Sequence, residues 1–77
     1  IMDLVKKYLD DHKIDFNMVT ESVIAIWHND TFFEILKDDT KYIIKTCNEE
    51  LDFKVLETSF DVGNLIFKLA KILNYPI

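Results

Sequence analysis

SVIAIWHNDTFFEILK, residues 22–37, sets two runs of large apolar side chains around a polar Asn29-Asp30 pair. Alternation at every second residue marks a β-strand, and Asn and Asp tolerate the positive φ of a two-residue hairpin turn. The stretch therefore reads as a strand over 22–28, a tight turn, and a strand over 31–37. Counting outward from the turn pairs Trp27 with Phe32, Ile26 with Phe33 and Ile24 with Ile35. Both faces of this hairpin are apolar, and that property governs everything the sequence says about function.

The hairpin extends into a meander. Around Asp39-Thr40, a third strand sets Leu36 against Ile43, Ile35 against Ile44 and Glu34 against Lys45, pairs of the kind cross-strand energetics favour. A four-residue loop at 48–51 then brings Val55 opposite Ile44 and Leu56 opposite Ile43, at the expense of placing Lys45 opposite Lys54. In this register one face holds Ile24, Ile26, Phe33, Ile35, Tyr42, Ile44, Phe53 and Val55. The other holds Val23, Ala25, Trp27, Phe32, Leu36, Ile43 and Leu56, dotted with Glu34, Lys41, Lys45, Asp52 and Lys54.

Two helices bracket the strands. In residues 1–12, Ile1, Leu4, Val5, Tyr8, Leu9 and His12 fall on one stripe at helical spacing. Over 62–74, Val62, Leu65, Ile66, Leu69, Ala70, Ile72 and Leu73 make a wider stripe. There Asp61 is the expected N-cap, Phe60 packs on Leu65 as a hydrophobic staple, and Pro76 stops the helix. The segment 13–21 reads as a connector lying on the core through Ile14, Phe16, Met18 and Val19. The expected fold is a single α+β domain over 1–77: a four-stranded antiparallel β-meander flanked by an N-terminal and a C-terminal α-helix, α-β-β-β-β-α.

Composition removes whole classes of function. Nine lysines face fourteen acids for a net charge of −5, and there is no arginine. Nucleic-acid recognition depends on cationic neutralisation of phosphates, for which arginine supplies the bidentate fork, so direct nucleic-acid binding is not expected. The single cysteine, Cys47, fits a reducing compartment and a cytoplasmic location. No apolar run approaches a membrane span, and no basic segment followed by an apolar one opens the sequence. His12, His28 and Cys47 lack metal-ligand spacing, so neither a metal nor a cofactor is expected. His12 reads as a partly buried helix-end residue and His28 as a solvated turn neighbour. The acidic doublets Asp10-Asp11, Asp38-Asp39 and Glu49-Glu50 sit at a helix end and in hairpin loops, where water keeps carboxylates ordinary. No nucleophile elbow and no glycine-rich phosphate loop occurs, so no catalytic residue is assigned.

The element order resembles that of the double-stranded RNA-binding domain. That family carries a lysine cluster at the start of its last helix; here the position holds Phe60, Asp61, Val62, Gly63 and Asn64. In size and charge the chain resembles phage-encoded inhibitors, including anti-CRISPR proteins. The resemblance implies a small acidic, non-enzymatic protein-binding module that blocks a host protein. Two surfaces are expected to serve it. One is the aromatic and aliphatic outer face: Trp27, Phe32, Leu36, Ile43 and Leu56. The other is an acidic surface of Asp38, Asp39, Glu49, Glu50 and Asp52, which would imitate nucleic acid in a basic groove. The alternative is a homo-oligomeric structural module stacked through the same outer face. Both readings of that face require it to be open. The first helix crossing to that side, or Phe16 and Met18 folding over Trp27, would close it.

Overall fold

The computed structural model describes residues 2–50 and 52–75. The order is α1 (Asp3–Asp11), β1 (Phe16–Thr20), β2 (Val23–His28), β3 (Thr31–Asp38), β4 (Lys41–Cys47), β5 (Phe53–Ser59) and α2 (Val62–Leu73). The strands form one antiparallel sheet whose spatial order follows the chain, β1-β2-β3-β4-β5. The sheet has five strands rather than four. The connector read at 13–21 contains β1, which pairs Phe16 with Ile26, Asn17 with Ala25 and Met18 with Ile24.

The central hairpins follow from local chemistry. Asn29 and Asp30 both adopt positive φ, 52° and 61°, the backbone signature of a tight hairpin turn whose twist suits the flanking strands. Trp27 pairs with Phe32, Ile26 with Phe33, and Ile24 with Ile35. Across the next turn, where Asp39 takes φ 57°, Leu36 meets Ile43, Ile35 meets Ile44 and Glu34 meets Lys45.

The fourth connection departs from the expected register. Asn48 accepts backbone N–H bonds from Glu50 and Asp52 on its side-chain oxygen, at 2.9 and 3.0 Å. That arrangement extends the loop to Asp52, and Cys47 then pairs with Phe53, Thr46 with Lys54 and Lys45 with Val55. A bulge follows, after which Ile44 pairs with Glu57 and Ile43 with Thr58. The expected Lys45–Lys54 opposition is thereby avoided. Phe53 and Val55, expected inside, are about half exposed at 51% and 52%. Leu56, expected on the outer face, packs instead against the core. A one-residue change in a loop flips the face of each side chain beyond it, and the bulge then restores the parity.

Both helices lie on the same side of the sheet. Val5, Tyr8 and Leu9 of α1 and Leu65, Leu69, Ala70 and Leu73 of α2 share one buried cluster with Ile24, Ile26, Phe33, Ile35, Tyr42 and Ile44. Phe16 and Met18 pack against this same cluster. They therefore lie on the helix side of the sheet and do not cover Trp27.

Each helix closes without glycine. Lys13 (φ 56°) and Asn74 (φ 62°) take the left-handed conformation, and Ile14 and Tyr75 donate back to the carbonyls of Leu9 and Ala70. This is the Schellman closure, and in α1 it buries Ile14 beside Leu9. Asp61 caps α2 by accepting from the Asn64 N–H at 2.9 Å. Phe60 does not staple the helix, since it is 76% exposed. The expected stop at Pro76 and the start at Ile1 lie outside the described residues.

Candidate functional site

The sheet face opposite the helices is ordered by register into three cross-strand rows. The first row runs Trp27, Phe32, Cys47, Phe53. The second runs Asn17, Ala25, Glu34, Lys45, Val55. The third runs Val23, Leu36, Ile43, Thr58. Alternate residues along each strand point to one face, so the three rows share this surface. The middle row places the Glu34–Lys45 pair between an aromatic strip and an aliphatic one.

The aromatic row is open to solvent at both ends, at Trp27 and Phe53. Trp27 is 65% exposed, although it is the largest side chain in the molecule. Its ring lies 6.2 Å from that of Phe32, which meets Phe53 edge-on at 6.4 Å. Lys45 reaches along the face to place its ammonium 5.9 Å from the Phe53 ring centroid. A cleft of about 860 Å³ opens beside this row, lined by Trp27, Asp30, Phe32, Cys47, Glu49 and Phe53 among others. A second hollow of about 390 Å³ lies on the other flank of Trp27 and includes Asp15, Asn17 and Ala25.

The residues singled out in the sequence are distributed unevenly over this surface. Trp27 and Phe32 stand together in the first row, and Leu36 and Ile43 in the third. At about 3.3 Å per residue these rows are roughly 13 Å apart. Leu56 belongs to the core side. The acidic residues do not form one surface. Asp38 and Asp39 sit at the β3–β4 turn, while Glu49, Glu50 and Asp52 sit in the β4–β5 loop at the opposite end of the strands. Only the second group adjoins the aromatic row. Phe53 and Val55 are face residues that the sequence register missed; the Asn48 loop, an Asx-type turn signal, is the feature that could have revealed them.

No known protein family matches the chain, and no curated protein or solved structure shows significant similarity to it.

Elsewhere, four rings gather where α1 ends and the chain leaves α2. His12 lies 4.7 Å from Tyr8 and 5.6 Å from Tyr75, and His28 lies 5.3 Å from Tyr75. Tyr8 donates to the Tyr75 carbonyl at 2.7 Å. Burial, and then the neighbouring Tyr75, push the Tyr8 hydroxyl above its ordinary value of 10.0. His28 is not a solvated turn residue: its Nε2 is buried and, among the described residues, has no hydrogen-bond partner. Neither histidine lines the two hollows beside Trp27. Among the described residues, no group of three or more His, Cys, Asp or Glu is disposed to hold a metal ion. No helix of the described residues is long and apolar enough to cross a membrane.

Proposed function

We propose that this protein is a non-catalytic protein-binding module whose helix-free sheet face docks on another protein. One observation carries the reading. Both helices pack on a single side of the sheet, and the largest aromatic in the chain stands in water on the other. Exposed apolar surface of this kind, rimmed by charge, is typical of interaction sites, and tryptophan is the residue most often found at their energetic centre. The acidic, arginine-free composition and the size support an inhibitor of the type encoded by phages and other mobile elements, acting on a host protein in a reducing compartment. The aromatic row, rather than the divided carboxylates, is the proposed anchor.

The test is affinity capture with three forms: the native chain, Trp27→Ala, and Asp38→Asn with Asp39→Asn. A partner kept by the double Asp variant and lost by Trp27→Ala is the expected result. Equal recovery of every partner by all three forms would defeat the proposal. Light scattering over a concentration range distinguishes self-association through the same face.

A further inference from the structure

Resting on that reading, we infer that the aromatic row receives a basic, partly apolar segment of the partner protein, with an arginine or lysine side chain laid against Trp27 between flanking carboxylates. Three features of the row point to a cation. The indole is flanked on both sides by hollows, one carrying Asp30 and Glu49 and the other Asp15. Among the described residues none of these three carboxylates is engaged in an ion pair; the pairs present are Asp3–Lys6, Asp11–Lys7 and Glu57–Lys68. The row already holds an ammonium of its own, because Lys45 lies over Phe53. Aromatic faces attract cations through their quadrupole, tryptophan most strongly, and a carboxylate beside the ring adds a second attraction.

The charge at this end of the sheet agrees. Asp15, Asp30, Glu49, Glu50 and Asp52 cluster at the β2–β3 turn, the β4–β5 loop and the start of β1, against Lys13, Lys45 and Lys54. The local balance is acidic, as is the whole chain at −5. A second copy of the chain is disfavoured as the occupant, because it would bring an identical acidic rim against this one. A polyanion is disfavoured for the same reason.

Trp27 is the only tryptophan, so its fluorescence reports this site alone. The probes are three short capped peptides containing leucine with, respectively, arginine, serine or glutamate in equal number. The arginine peptide is expected to give a saturable change that weakens as salt rises. The Asp30→Asn, Glu49→Gln double variant should bind it about tenfold more weakly, roughly the sum of two exposed charge contacts. Lys45→Gln, which removes the resident cation, should bind it more tightly. Equal binding of the serine peptide, with no effect of the double variant, overturns the cationic occupant and leaves the docking face itself standing. Absence of any response to the arginine peptide also overturns it. So does a concentration-dependent dimer that Trp27→Ala dissolves, since the occupant is then a second copy.

Discussion

Trp27→Ala and Ile35→Ala make a pair whose costs should run opposite to side-chain size. Trp27 is 65% exposed, so about a third of its surface is buried. A large aromatic side chain offers roughly 150–250 Å², so about 70 Å² is withdrawn from water. At about 25 cal/mol per Å² the upper limit for its truncation is about 2 kcal/mol. Ile35 is 0% exposed, in the middle strand of the sheet and in the buried cluster to which both helices contribute. Truncating a buried isoleucine removes its transfer energy and leaves a cavity, costing about 2–5 kcal/mol. The domain as a whole is held by about 4–12 kcal/mol at typical values per residue. Urea unfolding followed by far-ultraviolet circular dichroism reads both variants without relying on the indole. Trp27→Ala should keep the native slope with a modestly lower midpoint, while Ile35→Ala should lose much of its folded baseline. If Ile35→Ala does not fold at all, Ile35→Val, at about 1 kcal/mol, takes its place. A Trp27→Ala cost equal to or above that of Ile35→Ala would refute the assignment of the two faces, and the docking argument with it.

Two further outcomes follow from the backbone and from Tyr8. Asp30 is held at φ 61°, a conformation that costs an L-residue about 1 kcal/mol and glycine almost nothing. Asp30→Gly should therefore raise the midpoint of thermal unfolding by roughly 4–8 °C; a fall would show that the side chain makes a stabilising contact. Tyr8→Phe should cost about 1 kcal/mol at neutral pH through loss of the bond to the Tyr75 carbonyl. Because the folded Tyr8 holds its proton more tightly than the unfolded chain does, its contribution is complete below pH 10.0 and declines as pH rises through the elevated folded value. The difference in stability between native protein and Tyr8→Phe should thus be flat up to that pH and shrink above it, and a gap that widens in alkali would contradict the burial of the hydroxyl.

The β2–β3 and β3–β4 pairings were legible because each turn is only two residues long and flanked by strict alternation. Asn29-Asp30 and Asp39-Thr40 leave little freedom in counting partners. The β4–β5 pairing was not, because its loop is shaped by the Asn48 side chain accepting from two backbone donors, an interaction that composition does not count. That one-residue difference in loop length exchanges the roles of Phe53, Val55 and Leu56. Strand β1 is hard to read for another reason: the alternation of Phe16, Asn17 and Met18 is short and Val19 breaks it, and the bulge near Thr20 shortens the pairing further. The aromatic half of the site could be read from the hairpin quoted first. The separation of Asp38 and Asp39 from Glu49, Glu50 and Asp52 could not, since it depends on which ends of antiparallel strands meet in space.

Because each strand lies beside its sequence neighbour, the sheet closes through a succession of short loops, each with a small entropic cost. Among the described residues the meeting of α1 with α2, where Tyr8 donates to the Tyr75 carbonyl, joins the most distant parts of the chain. Such a low contact order favours rapid assembly in which the hairpins zip first and the two helices dock late over the preformed strands. The bare aromatic strip is then present from the earliest sheet onward, so a fast final collapse shortens the time for which both faces are open to aggregation.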